Sequence, residues 1–362
     1  MKTKPIPRST PILGAALAIL AAFASPALSA APTAELLVTL PESCNTPDGM
    51  ALLKDGSIVV SVPNFNDKTK PPLFVRVTPE RKVETFFKLP TPYPGLAEGT
   101  ARIGPMGVTV APDGNLYFAD LQDLGPKGQQ SRLWKLVVKD GRAGKLVLVA
   151  DGFNVANGLV IRGDFIYVTE SVLEPDSKPL TSAVLRFRLQ DEGVRLKTPL
   201  KDDPHILTTF TFRDPKEQWR FGADGIEFDS KGNLYVGSFG DGKLYRITFD
   251  PSGKVTGNTL FAEAPGRMIN CDGMRLDPKT DKLYIADSAA NAIQVVDCAD
   301  GSVTTLTANG DVTDKSTGAL DQPCEALVRG NEIIVSNMDW PFPGFKNRQH
   351  QLPATLSVIK LR

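Results

Sequence analysis

The sequence predicts an all-β protein, a six-bladed β-propeller with four-stranded antiparallel blades around a central channel. The prediction rests on a pattern that recurs six times: a usually polar residue, a glycine, an apolar strand, a turn and a second apolar strand. Successive copies are about fifty residues apart, and such a period filled with short strands is typical of one propeller blade per repeat. We therefore expect residues 32–362 to form a single propeller domain.

The clearest copy runs from Asp224 to Arg246. Asp224-Gly225 precedes a strand at 226–228, a turn at 229–233, a strand at 234–238, a second turn and a third strand from 244. Short apolar or β-branched runs between Gly, Asp and Asn clusters are typical of antiparallel hairpins. Glycine follows the opening residue in five copies, and alanine follows it in the last. The six copies open at Asp48, Met106, Asn157, Asp224, Asp272 and Glu325.

The two ends of the chain each carry one more strand, at residues 35–40 and 355–361. A ring of sheets must close without leaving an exposed edge. We therefore expect the N-terminal strand to complete the last blade.

Residues 1–31 resemble a secretory signal peptide. Lys2, Lys4 and Arg8 give a positive start, residues 12–23 are apolar, and small residues occupy 26–31. The apolar run is shorter than the roughly twenty residues of a membrane-spanning helix. We expect a periplasmic or secreted protein with no membrane contact after cleavage.

Composition argues against several partners and cofactors. The chain has 41 Lys+Arg and 41 Asp+Glu, a balance that gives no electrostatic footprint for nucleic acid. Neither a Gly-x-Ser-x-Gly elbow nor a dinucleotide-binding glycine motif occurs, and with two histidines and no C-x-x-C a zinc site is improbable. The expected partner is a small-molecule substrate.

Four cysteines in an exported chain are candidates for disulfides, with three possible pairings. Buried free thiols are the alternative in a fold of this size. The four are Cys44, Cys271, Cys298 and Cys324.

Three segments interrupt the repeat, at residues 89–105, 190–222 and 339–345. Long loops in compact domains are often lids or binding loops. If all three lie on one face, their aromatic residues surround a pocket mouth; the alternative is ordinary packing over blade edges. The residues concerned are Tyr93, Trp219, Trp340, Phe342 and Phe345.

The opening residues of the copies predict a metal site. The first strand of a propeller blade is innermost, so these residues converge on one mouth of the channel. Buried carboxylates in close proximity repel one another, and a hard cation that takes oxygen ligands at about 2.3–2.6 Å would stabilise them. Calcium fits better than zinc. The alternative is that Asp-Gly only forms the turn before each strand. The candidate metal ligands are Asp48, Asn157, Asp224, Asp272 and Glu325.

With Asn157-Gly158 opening the third copy and Asp224-Gly225 the fourth, the chain resembles the regucalcin/gluconolactonase (senescence marker protein, LRE-like) family of calcium-dependent lactonases. In that family a first-blade Glu and the third-blade Asn and fourth-blade Asp bind the metal, which implies Asp48, Asn157 and Asp224 here. The family's frequent second-blade Asn is replaced by Met106, so Asp272 or Glu325 would complete the site.

The resemblance implies a Ca²⁺-dependent hydrolase of lactones or related esters, and the signal peptide implies that it is exported. It assigns Asp224 as metal ligand and proton acceptor, with Asp272 as the second candidate for the catalytic role. Related paraoxonases use channel histidines, but His205 and His350 fall outside every opening position. The alternatives are a phosphotriesterase, a strictosidine-synthase-like enzyme, or a non-catalytic propeller that binds a ligand or protein.

Overall fold

The computed structural model describes residues 1–4, 32–94, 102–122, 128–212 and 219–361. The predicted signal peptide lies mostly outside these residues and stays a prediction. The compact unit Pro32–Arg362 contains every described strand. Within the described residues there is no helix long and apolar enough to cross a membrane.

Six antiparallel sheets confirm the predicted six-bladed β-propeller. Blade 1 consists of β2 (Met50–Leu52), β3 (Ile58–Val62), β4 (Leu73–Val77) and β5 (Val83–Lys88). Blade 2 consists of β6 (Pro105–Val110), β7 (Leu116–Asp120), β8 (Ser131–Lys139) and β9 (Arg142–Phe153). Blade 3 consists of β10 (Ala156–Arg162), β11 (Phe165–Glu174), β12 (Leu180–Arg188) and β14 (Ile206–Phe212).

The second half of the ring repeats this order. Blade 4 consists of β15 (Ala223–Phe228), β16 (Leu234–Ser238), β17 (Leu244–Phe249) and β18 (Val255–Ala262). Blade 5 consists of β19 (Met274–Asp277), β20 (Lys282–Asp287), β21 (Ala292–Asp297) and β22 (Val303–Ala308). Blade 6 combines both ends of the chain: β23 (Pro323–Arg329), β24 (Glu332–Asn337), β25 (Thr355–Lys360) and β1 (Ala34–Thr39).

The ring closes as the sequence predicted. Strand β1 pairs antiparallel with β25, from Ala34 opposite Ile359 to Thr39 opposite Thr355. The N-terminal strand therefore covers the edge that the last blade would otherwise expose.

The segment 190–222 is more regular than the lid loop suggested by its length. β13 (Val194–Arg195) adds to β9 in parallel, a 3₁₀ turn covers Leu200–Asp202, and β14 is the outer strand of blade 3. Residues 213–218 of the segment lie outside the described residues. The described part therefore completes two blades.

Neighbouring blades pack through buried aromatic rings. Phe74 of blade 1 meets Phe118 of blade 2 edge-on, with ring centroids 5.0 Å apart. Tyr167 of blade 3 meets Phe228 of blade 4 in the same way at 5.0 Å. Such edge-to-face pairs add to the burial of apolar area, so the core of the propeller lies mainly between its sheets.

The glycine that follows the opening residue in blades 1 to 5 is required by crowding around the channel. A Cβ at Gly158 would lie 2.3 Å from the carbonyl oxygen of Asp224, and a Cβ at Gly225 would lie 2.1 Å from that of Asp272. Each innermost strand thus approaches the opening backbone of the next blade more closely than a side chain permits. The Asp-Gly turn alternative does not account for this contact.

Hydroxyl groups on second strands tie the blades together at the same end of the channel. Thr169 Oγ1 of blade 3 donates to the carbonyl oxygen of Asp224 at 2.8 Å. Ser336 Oγ of blade 6 donates to the carbonyl oxygen of Asp48 at 2.5 Å, across the closure of the ring. The backbone of each of these two opening residues is therefore held by the preceding blade.

All four cysteines are free and buried. Burial raises the pKa of the Cys44 thiol to about 11 and that of Cys298 to about 12. The structure therefore favours buried thiols, the second of the two alternatives.

Gly225→Ala should lower the free energy of unfolding by roughly 1–3 kcal/mol, because the added methyl group overpacks the contact with blade 5. Gly144→Ala is the matched control: it lies in a strand, and its Cβ would meet only Val137 O, at 3.9 Å. Urea denaturation of both variants checks this. Equal stability of the two variants would contradict the crowding argument.

Candidate active site

Four of the predicted site residues line one cavity at the channel mouth. They are the side chains that open blades 1, 3, 4 and 5, and Met106 stands at the equivalent position of blade 2. The cavity and its opening to solvent hold about 460 Å³ of empty space, within the range of small-molecule sites. The repeat brings these opening residues together because each innermost strand begins at the same end of the channel. The four are Asp48, Asn157, Asp224 and Asp272.

Two of these carboxylates are almost completely buried. Asp48 is 5% exposed and Asp224 is 4% exposed. Burial, and then the repulsion of neighbouring acids led by Asp272, raises the pKa of both carboxyls well above the usual range. Asp48 Oδ2 is buried without a hydrogen-bond partner. An orphaned buried carboxylate oxygen is costly and indicates a missing positive partner.

The amide of Asn157 contacts one of these acids. Its Nδ2 donates to Asp224 Oδ2 at 2.7 Å. This bond orients the carboxylate, and it directs the amide oxygen of Asn157 away from Asp224. One carboxylate and one amide of adjacent blades therefore act as a pair.

Asp272 has more hydrogen-bond donors than Asp48 or Asp224. Its Oδ2 accepts from Ser288 Oγ at 2.6 Å, and its Oδ1 accepts from the amide of Gly273 at 2.9 Å. Burial nevertheless raises the pKa of Asp272 to about 7. Both of its oxygens are thus already engaged by the protein.

Glu325 lies deeper in the channel, where it is paired with an arginine that sequence reasoning missed. Arg275 Nη2 lies 3.0 Å from Glu325 Oε2, and Arg275 also donates to the carbonyl oxygens of Met274 and Met50. Burial raises the pKa of Glu325 to about 7, while Arg275 opposes the shift. The role of Glu325 as a metal ligand stays a prediction.

The sequence contained a signal that Arg275 lies near an acidic side chain, although that side chain is Glu227 and not Glu325. Three residues after the opening position, the repeat of blade 4 carries Glu227 and that of blade 5 carries Arg275. Burial raises the pKa of Glu227, and the positive charge of Arg275 lowers it. Because Glu227 and Arg275 have opposite charges at the same repeat position of adjacent blades, the sequence predicts that their side chains interact inside the channel.

The walls of the cavity are apolar. They come from residues just after second strands and just before first strands, which meet at one end because the strands are antiparallel. The same superposition of repeats could have identified them. The wall residues are Leu121, Val155, Phe221, Phe239, Met338, Trp340 and Phe342, with Gln322 as a neutral polar member.

The predicted aromatic mouth is present in part. Trp340 and Phe342 line the cavity. Phe345 packs behind them at 5.3 Å from Phe342, and Trp219 packs on Phe345 at 4.8 Å. Tyr93 does not take part, because it packs on Trp134 of blade 2 at 5.1 Å.

Both histidines lie outside the cavity lining. His205 Nδ1 lies 2.8 Å from Asp203 Oδ1, and its ring stacks on Phe187 at 4.9 Å. His350 contacts Asp339, which raises the pKa of the imidazole. Neither is placed to act on a molecule in the cavity.

The donor set suits a hard cation. In the described part of the chain, no group of three or more His, Cys, Asp or Glu side chains is arranged to hold a metal ion. The cavity instead combines carboxylates with the amide of Asn157, and it contains the orphaned Asp48 Oδ2. Oxygen donors of this kind fit calcium in chemistry.

A family model matches the middle of the chain. The family model described as "SMP-30/Gluconolactonase/LRE-like region" matches residues 74–271. The match covers more than half of the chain and includes Asn157 and Asp224, whereas Asp48, Asp272 and Glu325 fall outside it.

Individual relatives are distant. Lactonase drp35 of Staphylococcus haemolyticus is 26% identical over 180 residues, which are 48% of this chain and 46% of that protein. The chain thus matches about half the length of this curated relative.

Solved structures with low sequence identity share the fold. A gluconolactonase of Xanthomonas campestris is 15% identical, with a TM-score of 0.56 over 93% of this chain and 97% of that one. The calcium-binding protein regucalcin of Agrobacterium tumefaciens is 11% identical, with a TM-score of 0.53 over 91% and 96%.

The fold is a six-bladed propeller with a cavity at the mouth of its channel. The chain belongs to the SMP-30/gluconolactonase/LRE-like family.

Arg275→Met should lower the free energy of unfolding by roughly 3–5 kcal/mol, because it leaves the buried Glu325 carboxylate unpaired. Changing both Arg275 and Glu325 to Met should recover much of this loss. Urea denaturation measures both effects.

Arg195→Met is the surface control. Arg195 pairs with Asp151 at 2.8 Å, and its side chain is 80% exposed, so its loss should cost less than about 1 kcal/mol. A similar loss for Arg275→Met would rule out a structural role for the buried pair.

Proposed function

We propose that this protein is a calcium-dependent hydrolase of lactones or related esters. The observation that carries the proposal is the cluster of oxygen-bearing side chains on the floor of an otherwise apolar cavity. Membership of the family and the similarity to a lactonase across 46% of that protein's length support it. An apolar cavity with a few convergent polar groups is the usual form of a small-molecule site.

Asp48, Asn157 and Asp224 are the residues that would hold calcium. Asp48 offers the orphaned Oδ2, and Asn157 offers its amide oxygen. When bound, calcium would polarise the ester carbonyl and stabilise the charge that develops on its oxygen. Asp272 borders the same cavity and is the further candidate, ahead of Glu325, which Arg275 neutralises.

Asp224 is the proposed proton acceptor. Asn157 holds its Oδ2, while its Oδ1 has no hydrogen-bond donor among the described residues. Asp224 would accept a proton from the water that attacks the carbonyl carbon and return it to the leaving alkoxide. Asp272 is less suited because Ser288 and Gly273 occupy both of its oxygens.

Asp224→Asn should lower kcat for lactone hydrolysis by roughly 10²–10⁴-fold, because it keeps the shape but removes the proton acceptor. Asp272→Asn should cause a smaller loss. The measurement is a lactone panel at saturating Ca²⁺, so that lost occupancy is not mistaken for lost chemistry. Asp164→Asn, in an exposed turn of blade 3, is the control.

Thermal melts give an independent test of calcium. Binding to the native state alone stabilises by roughly 2.7 kcal/mol at a hundredfold excess over Kd, so melts in Ca²⁺ and in EDTA should differ by several degrees. Identical melts would count against calcium. Near-normal kcat in both Asn variants would leave the ring non-catalytic and favour a binding propeller.

We propose further that the protein is exported, from the positive start and apolar run of residues 1–31. Intact-mass measurement of protein from the periplasm or the medium should show a chain that begins between Ala30 and Pro32, within one residue. Recovery of a mature chain that still starts at Met1 would refute export by cleavage.

A further inference from the structure

The walls of the cavity place a restriction on the substrate. Above the acidic floor they present leucine, valine, methionine and aromatic side chains, and the neutral polar wall residue is Gln322. A polyhydroxylated ring would bring several hydroxyl groups against these surfaces. Each buried hydroxyl without a partner costs about 1–3 kcal/mol.

Gln322 is held rigidly at the cavity. It is 1% exposed, and its backbone N–H donates to Asn291 Oδ1 at 2.8 Å. Its side-chain Oε1 accepts from the backbone N–H of Trp340, at the start of the aromatic wall. The acceptor end of the amide is therefore engaged by the protein.

The donor end of the same amide has no hydrogen-bond partner among the described residues. The hydrogen bond from the Trp340 N–H fixes which end of the Gln322 amide is Oε1. The Nε2 is therefore the other end of a side chain that lines the cavity. Such a donor, at the lining of the cavity, is available to a ligand atom that accepts a hydrogen bond. The oxygens of an ester group accept hydrogen bonds and cannot donate them, so either oxygen could accept from Nε2.

We propose, on the basis of the function proposed above, that the site takes an uncharged, largely apolar lactone or ester and that Gln322 orients it. The alkyl or aryl body of the substrate packs on Met338, Trp340 and Phe342. Gln322 Nε2 donates to an oxygen of the ester group. Gln322 is a substrate-positioning residue, and sugar lactones are poor substrates.

The first test compares an alkyl-substituted δ-lactone with glucono-δ-lactone at saturating Ca²⁺. We expect kcat/KM to be at least about tenfold higher for the alkyl lactone, since a few buried methylenes are worth this factor. A higher kcat/KM for glucono-δ-lactone would overturn the inference while leaving the proposed hydrolase function intact.

Binding without turnover separates the two proposals. The probe is a 2-alkylcyclohexanone, a ring ketone that accepts a hydrogen bond but cannot be hydrolysed, and 1,5-anhydroglucitol is the polyhydroxylated control. Calorimetric titration should detect the ketone alone. If the ketone binds and neither lactone is turned over, the hydrolase function fails, while the preference of the cavity for an apolar ligand that accepts a hydrogen bond stands. Binding of the anhydroglucitol alone would refute it.

The role of Gln322 is tested by two variants of similar length. Gln322→Glu keeps an oxygen acceptor for the Trp340 N–H but removes the donor at pH 8, and Gln322→Met removes both. If Nε2 positions the substrate, both variants should lose ketone affinity and raise KM for the alkyl lactone at least about fivefold, with a smaller effect on kcat.

A purely structural role predicts a different pattern. Gln322→Glu would then keep the wild-type KM and ketone affinity. Gln322→Met alone would raise KM, weaken ketone binding and lower the melting temperature. That pattern would overturn the positioning role. Equal losses in both variants at unchanged melting temperature would support it.

Discussion

The close approach of the six innermost strands is the constraint on which the rest of the structure depends. Around the narrow channel each first strand lies against the opening backbone of the next blade, so that a Cβ at Gly158 or Gly225 would overlap a carbonyl oxygen. From the second strands, the hydroxyl of Thr169 binds the Asp224 carbonyl, and the hydroxyl of Ser336 binds the Asp48 carbonyl. The opening side chains therefore have no freedom to separate, and the acids among them must share one small volume.

This crowding creates an electrostatic problem that the protein meets in two ways. Deep in the channel, Arg275 pairs with Glu325 and opposes the effect of burial on Glu227. At the mouth, Asp48 and Asp224 are buried with strongly raised pKa values, and one oxygen of Asp48 has no partner. Unpaired buried acids are costly to folding. They are understandable where a ligand supplies the missing charge, which is the basis of the calcium proposal.

The walls above these acids are built by a different part of the architecture. Trp340 and Phe342 follow the second strand of blade 6 in a segment anchored by Asp339. The Asp339 carboxylate accepts from Lys315 Nζ at 2.7 Å and from Asn347 Nδ2 at 2.8 Å. A buried, multiply bonded carboxylate holds the segment in place, so the apolar wall is a fixed surface. The repeat thus supplies the polar floor, and the anchored segment contributes Trp340 and Phe342 to the apolar wall.

The sequence by itself determined the number of blades, the closure by the terminal strands and the convergence of Asp48, Asn157, Asp224 and Asp272. These follow from local patterns that recur, because a repeat places equivalent residues at equivalent positions in a ring. Only the tertiary structure decided that Arg275 pairs with Glu325 and that Tyr93 packs on blade 2, away from the mouth. It also decided that Gln322 lines the cavity and that its Nε2 has no partner among the described residues. Those outcomes depend on contacts between residues distant in the chain, and no local pattern specifies which of the available partners a long side chain reaches.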